Sequence, residues 1–233
     1  LVHFISFIYT LIILMASKFS INLDNVPYFD ISLSQYNTTI NNLNNPDYMP
    51  LNLHSLSYYY PTLDIFNCDS IIQSNPYSLN TDKQIINYNT VFNKNTLKNE
   101  KKDIFFKFAP LLDPTRYMIG KYRDLHSNIY DLPKYNDSNK CLPKYNSFYN
   151  SSYTDNFACF LISKLMHFHN FKHGIEYYGS FLAIQDKYRI DVVDEIEYLF
   201  ESDFFRDNLN KLFTLDNYQQ FDFLNYGSKS NKP

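Results

Sequence analysis

The chain has few of the residues on which the common phosphate-binding loops depend. Only 4 of its 233 residues are glycine, and the first of these is Gly120. Neither a Gly-x-Gly-x-x-Gly run nor a Walker loop occurs, which excludes a glycine-rich backbone cradle for phosphates. A Gly-x-Ser-x-Gly nucleophile elbow is missing as well.

Cysteine is also scarce. The 3 cysteines, Cys68, Cys141 and Cys159, stand at long and irregular spacings. They form neither a zinc pattern nor a plausible disulfide framework, so the sequence favours a reducing compartment. Cys159 lies inside a helical pattern, which predicts a buried structural thiol.

The charge balance gives no support to nucleic-acid binding. The formal net charge is -3, and the densest basic run, residues 98–102, is short and predicted to be a solvated linker. What is abundant is Asn, with 22 Tyr and 21 Phe. AT-rich codons supply this bias, so it reports the genome more than the fold.

Three histidines, His167, His169 and His173, cluster in the sequence. Side chains three or four residues apart share a helix face, so only the second and third could chelate a metal together. No carboxylate-rich partner sequence accompanies them. They are predicted to be ordinary core or surface histidines.

Residues 1–17 form an apolar leader with three interpretations. The first is upstream translation, with Met15 as the true start. The second is a signal peptide or membrane anchor, although a bilayer span needs roughly 20 apolar residues. The third is a buried helix. Membrane attachment or secretion is expected only under the second interpretation, which sequons at Asn37, Asn136 and Asn150 would suit.

Periodicity divides the remaining chain into two regions. Residues 18–102 are rich in Asn and Tyr with weak periodicity, which predicts an irregular extension of loops with two strands. From residue 103 the patterns become clearer. Asp103–Ala109 predicts a strand, and Pro114 predicts the start of a short helix that Gly120 ends.

The clearest helix is predicted at residues 154–169, with a capping box from Ser152 to Asp155. Its expected buried face repeats at helical spacing and consists of Phe157, Leu161, Leu165 and Phe168. Two strands, 175–184 and 188–193, and a helix at 202–213 are predicted to follow. This order predicts an α+β fold, in which an antiparallel sheet packs against helices.

Residues 169–181 resemble the loop and fourth strand that follow the αC helix in serine/threonine protein kinases. The similarity consists of His169-Asn170, Gly174-Ile175 and the run Tyr177 to Phe181, placed directly after a predicted helix. The other interpretation is a plain core strand with Gly179 at a bulge.

Longer runs resemble a particular group of these enzymes. FFKFAPLLDPTRYMIGKY, YTDNFACFLISKLMHFHNFKHGIEYYGSFLAIQ and NYGSKSNKP are similar to the amino-terminal half of serine/threonine protein kinases of nucleocytoplasmic large DNA viruses, the mimivirus-like giant viruses. The similarity covers residues 103–233. It implies a diverged and truncated kinase small-lobe-like region of a protein in the host cytoplasm or the virion, and a protein substrate for the full-length enzyme.

The resemblance also implies the site residues. Lys107 would contact the α- and β-phosphates of ATP, bound with Mg²⁺ in the full-length enzyme. Glu197, Tyr198 and Leu199 would be the hinge, whose backbone contacts adenine. The alternative interpretation of Lys107, without a ligand, is a solvent-facing strand position between two phenylalanines.

The chain departs from the kinase pattern in several ways. The helix at 154–169 contains no Glu, and its only acid is Asp155 in the first turn, so the usual ion-pair partner of Lys107 is expected to be missing. No His-Arg-Asp or Asp-Phe-Gly motif occurs. We therefore expect no phosphoryl transfer by this chain alone, which would be a fragment of a kinase or an inactive lobe. The alternative is a non-enzymatic viral structural or interaction protein that binds virion proteins.

Overall fold

The computed structural model describes residues 21–29, 50–66, 77–124, 129–135 and 140–216. This part is mixed α and β with small antiparallel sheets, which confirms the predicted class at that level. The chain divides into two compact units, Leu1–Leu111 with His126–Arg189 and Leu112–Leu125 with Ile190–Pro233. The predictions for residues 1–17 and for the terminal NYGSKSNKP lie outside the described residues.

The described strands form three antiparallel sheets. One sheet pairs β1 with β3, the second pairs β2 with β7, and the third has the order β4-β5-β6. The strands are β1 Leu23–Asn25, β2 Leu53–Ser57, β3 Tyr77–Leu79, β4 Lys83–Asn87, β5 Thr90–Asn93, β6 Lys98–Lys101 and β7 Leu182–Gln185.

Six of these strands lie in the region predicted to hold two. Leu1–Leu111 and His126–Arg189 belong to the same unit, which therefore contains residues from both sides of residue 103. The pairing of β2 with β7 joins these two sides directly.

Asparagine side chains close the turns of the β4-β5-β6 sheet. Asn87 Oδ1 accepts from the backbone N–H of Asn89 at 3.1 Å. Asn93 Oδ1 accepts from the N–H groups of Asn95 and Thr96 at 2.9 and 3.3 Å. Such bonds let Asn mimic a backbone turn, so the Asn bias has a structural use here.

The strand predicted at Asp103–Ala109 was wrong. β6 ends at Lys101, and residues 102–110 have no regular secondary structure. Exposure nevertheless alternates along the segment as it would in a strand, with Ile104, Phe106 and Phe108 partly buried. The pattern was therefore detected correctly, but no neighbouring strand pairs with it in the described part of the chain.

The strands predicted after the long helix are also shorter than expected or absent. Of residues 175–184, only those from Leu182 onward form a strand, β7, which extends to Gln185. Residues 188–193 form none.

The short helix α1, Pro114–Met118, confirms the prediction around Pro114. Pro114 occupies the first turn, and the N-cap Asp113 accepts from the N–H of Arg116 at 3.2 Å. Gly120 follows with φ +77, a left-handed conformation that ends the helix at little cost for glycine.

The long helix α3, Ser151–His169, begins three residues earlier than predicted. Its N-cap is Asn150, whose side chain accepts from the N–H of Ser152 at 3.0 Å, so the predicted capping box was wrong. Its carboxyl end is capped by Asn170 at φ 54, with an N–H bond to Leu165 O. A four-residue helix, α2, Pro143–Asn146, precedes it.

The buried face of α3 is rotated from the predicted one. Tyr153, Phe160 and Leu161 are buried, whereas Phe168 is 45% exposed. The core of the first unit consists of Tyr60, Leu63, Leu79, Tyr153, Phe160, Leu161 and Tyr177. A 3₁₀ helix, Pro61–Phe66, packs on α3 through this core, and the rings of Tyr60 and Tyr153 stack at 5.8 Å.

The second unit contains two further helices, α4, Ile196–Glu201, and α5, Asp203–Asn208. Ser202 caps α5 by accepting from the N–H of Phe205 at 3.4 Å. The start of the helix predicted at 202–213 is therefore confirmed. The helix ends at Asn208, five residues before the predicted end. Throughout the described part, no helix is both long and apolar enough to cross a membrane.

Candidate functional site

Lys107 forms an ion pair with Asp155, the fifth residue of α3. The ammonium Nζ lies 2.8 Å from Oδ1 and 2.6 Å from Oδ2 of the carboxylate. The expectation that Lys107 lacks an ion-pair partner was therefore wrong. The sequence argument expected a glutamate as the partner and did not expect the shorter side chain of Asp155, which the predicted helix already contained, to reach Lys107.

The pair is open to solvent. The Lys107 side chain is 57% exposed and that of Asp155 is 41% exposed. The hydrogen bond that the Lys107 ammonium donates to Asp155 raises the pKa of Lys107, and the small desolvation of the ammonium opposes this increase. Lys107 is therefore fully charged at neutral pH, and it is positioned by a carboxylate while water or a ligand can still reach it.

Two further hydrogen bonds hold the start of α3 against the end of the Lys107 segment. The Ser152 hydroxyl donates to the carbonyl of Pro110 at 2.7 Å, and Asn150 Nδ2 donates to the carbonyl of Leu111 at 3.0 Å. A capping residue thus connects the helix to the preceding segment as well as satisfying its own helix end. These bonds keep the Lys107 backbone near Asp155.

Cys159 lies one helical turn after Asp155 and near Lys107. Its side chain is partly buried and the thiol is free. Burial raises the pKa of Cys159, the Asp155 carboxylate adds to this increase, and Lys107 opposes it. The thiol is therefore protonated at neutral pH and is a poor nucleophile.

The hinge candidates lie in α4 of the second unit. Leu199 is fully buried, and Glu197 and Tyr198 are exposed. The N–H of Leu199 donates to Glu195 O at 2.9 Å, and Leu199 O accepts from Ser202 at 3.1 Å. Both backbone groups of Leu199 therefore already take part in hydrogen bonds of α4 and its carboxyl-terminal cap.

A closed ring of hydrogen bonds fixes the YYGSF segment in the core. Tyr177 OH donates to Asn156 Oδ1 at 2.9 Å and lies 2.8 Å from Ser180 Oγ. Asn156 Nδ2 and Ser180 Oγ each lie 3.1 Å from Tyr60 OH, which closes the ring. Gly179 has φ +132, a conformation that side-chain-bearing residues rarely adopt.

The histidines do not form a metal site. His167, His169 and His173 are exposed or partly exposed, and the Nε2 of His167 lies 3.7 Å from a carboxylate oxygen of Glu176. Among the described residues, no group of three His, Cys, Asp or Glu side chains is arranged to hold a metal ion. The described residues therefore contain no ligand set that fits Mg²⁺, whereas the exposed ammonium of Lys107 is chemically able to contact a phosphate.

No protein-family model, curated protein or solved structure matches this chain. The site is thus described from its own residues. The sequence identified Lys107, and the structure adds Asp155, Ser152 and Asn150. The one signal that could have found Asp155 is its place as the only acid in the long helix.

Proposed function

We propose that this chain is the amino-terminal part of a serine/threonine protein kinase-like protein of a mimivirus-like giant virus. In that protein Lys107 binds the α- and β-phosphates of ATP. The observation that supports the proposal is the ion pair between Lys107 and Asp155.

The ion pair suits phosphate binding because it fixes a mobile cation. A lysine side chain has many rotamers, and a carboxylate that holds its ammonium lowers the entropy lost when a ligand binds. An exposed pair of this kind stabilises the fold by only about 0–1 kcal/mol, so stability alone is a weak reason for its presence. Protein kinases use a lysine paired with an acid of the αC helix in this way.

The rest of the phosphoryl-transfer apparatus is not supplied by this sequence. It contains no glycine-rich loop before Lys107, no His-Arg-Asp base and no Asp-Phe-Gly metal ligand. We therefore propose that the chain binds nucleotide weakly and transfers no phosphate by itself. Phosphorylation of a protein substrate, with Mg²⁺ as the metal, would belong to the full-length protein.

The test is a calorimetric titration of the chain with ATP and Mg²⁺. Lys107→Ala removes one charge-assisted contact, about 1.5–3 kcal/mol, so the affinity should fall about 10- to 150-fold. Asp155→Asn keeps the lysine but loses its positioning charge, and should give a smaller loss. Lys172→Ala removes the same charge from another exposed position and should leave the affinity unchanged.

Two results would contradict the proposal. The first is equal affinity for the wild type, Lys107→Ala and Lys172→Ala, since the nucleotide would then not contact Lys107. The second is no measurable binding by the wild type at millimolar ATP.

A second candidate is a non-enzymatic structural or interaction protein of the virion. It is favoured by large exposed aromatic side chains, among them Tyr28, Phe105 and Tyr149. Interfaces are enriched in tyrosine and phenylalanine. Hydroxyl-radical footprinting would support this candidate if Tyr28 and Tyr149 are protected in virions and reactive in the isolated chain. Equal reactivity in both would count against it.

A further inference from the structure

The segment 103–109 has the side-chain pattern of a β-strand without being part of a sheet. Ile104, Phe106 and Phe108 are partly buried, while Phe105 is 84% exposed and Lys107 is also exposed. This two-residue alternation is the pattern of an extended chain with one face on the protein body. The inner face is anchored, since the Phe106 ring lies 5.9 Å from that of Phe29.

The backbone of this segment has no strand partner among the described residues. Within the described part of the chain, no backbone hydrogen bond joins residues 103–109 to another segment. An extended segment with unpaired N–H and C=O groups is a template for pairing with another strand. Pro110 directly after the segment has no N–H, so it marks where such pairing would end.

We propose that segment 103–109 pairs antiparallel with the same segment of a second copy of this chain, around a two-fold axis at Phe106. Phe106 then faces its own symmetry mate, and Ile104 faces Phe108 of the second copy. On the outer face, Phe105 lies opposite Lys107. This interface shares Lys107 with the proposed nucleotide site, but the pairing itself requires no nucleotide.

The self-complementary sequence selects a second copy as the partner. In this register every apolar inner residue faces an apolar residue. The two charged residues, Asp103 and Lys107, face Ala109 and Phe105, so no two like charges face each other. Moving the axis to Phe105 would pair only residues 103–107, since Lys101 is already bonded within β6. A two-fold contact of this type closes after two copies.

The dimer should be weak. Seven paired residues on each strand give roughly six to eight backbone hydrogen bonds. A strand pair alone buries less than the roughly 1,200 Å² typical of stable interfaces. Association should therefore depend on concentration in the micromolar to millimolar range.

Sedimentation velocity on the full chain tests the pairing through substitutions at Phe105. Phe105→Lys places a lysine opposite Lys107 at two symmetric points, and Phe105→Glu places a glutamate there. We expect dimer dissociation constants about 2- to 30-fold weaker for the lysine variant and similarly tighter for the glutamate variant. The position is exposed, so the monomer fold should be kept, as far-UV circular dichroism can verify.

Leu97, exposed in the turn between β5 and β6, supplies matched controls. Leu97→Lys and Leu97→Glu change the net charge equally and should leave the dissociation constant unchanged. The proposal is overturned if the wild type stays monomeric at millimolar concentration or if the two Phe105 variants associate equally. Open-ended polymers would also overturn it, because a two-fold pairing closes.

Discussion

Two phenylalanines of α3 provide a direct test of which helix face is buried. Phe160 is fully buried and Phe168 is 45% exposed. The sequence pattern had placed Phe168 on the core face and had left Phe160 off it. The Lys164 ammonium lies 5.4 Å from the Phe160 ring and 5.9 Å from the Phe168 ring. Alanine at either position removes one such cation contact, so the comparison isolates burial.

The expected difference follows from what surrounds Phe160. Its ring centroid lies 6.1 Å from that of Phe157 and 5.8 Å from that of Tyr177. Truncation of a buried phenylalanine costs about 3–5 kcal/mol in the free energy of unfolding. Truncation of Phe168 should cost under about 1 kcal/mol, since much of its ring already contacts water. A domain with about 5–15 kcal/mol of stability would lose a large part of it at Phe160 alone.

Urea denaturation monitored by far-UV circular dichroism measures both variants, because the chain has no tryptophan for fluorescence. Should Phe160→Ala prevent folding, Phe160→Leu gives a smaller loss that stays measurable. Equal losses at the two positions, or a larger loss at Phe168, would refute the assigned burial of α3.

Two further predictions concern a titration and a turn. Burial raises the pKa of Tyr178 to about 12, and its hydroxyl also donates to Glu176. Because the folded pKa is the higher one, Tyr178 stabilises the fold below pH 10, and this contribution is lost as pH rises through about 12. In Glu176→Gln, phenolate absorbance at 295 nm should therefore appear at lower pH. Gly120→Ala should cost about 1–3 kcal/mol in thermal denaturation, since φ is +77 and a Cβ would lie 2.6 Å from Phe204 Cγ.

Each of these has a control. Gly174 has no positive φ, and a Cβ at this position would come no closer than 3.2 Å to its neighbours. Gly174→Ala should therefore cost less stability than Gly120→Ala. An equal loss would show that the left-handed turn is not the cause. For Tyr178, an unchanged titration curve in Tyr178→Phe would contradict the assignment of the transition near pH 12.

Local signals were predictable from the sequence. Pro114 and Gly120 act on their own backbone, so α1 was found from residue type alone. The long helix was also found, because 19 residues contain enough turns for its period to show. Its rotated face was missed, since Lys164 and Ser163 are buried and a polar residue on the core face hides the pattern.

Elements that depend on distant partners were not predictable. β2 is stabilised by pairing with β7 more than a hundred residues later, and its own sequence alternates weakly. Segment 103–109 shows the opposite case, since it has a strong pattern and no partner strand in the described part. The sequence EIEYLF is compatible with either a strand or a helix. In the folded second unit most of it lies in the helix α4.

At the site, Lys107 was singled out by the resemblance of its segment to a kinase strand, and the alternation with two phenylalanines predicted its exposure, which the structure shows. Asp155 was noted as the only acid of the helix but was not expected to pair with Lys107, because this contact depends on how the start of α3 is held against residues 110 and 111. That start is set by Asn150, whose side chain bonds both the helix and Leu111, and no short-range pattern specifies the second of these bonds.

The hydrogen-bonded ring of Tyr60, Asn156, Tyr177 and Ser180 has a consequence for how the chain reaches its native state. Tyr60 and Ser180 are 120 residues apart, so the ring cannot close until a long stretch of polypeptide has been brought back on itself. Loop-closure entropy must be overcome before the two Tyr60 contacts form, which implies slow folding for the first unit. A shortened chain that begins at residue 103 would lose Tyr60 and Leu63 from the core and should collapse without ordered packing.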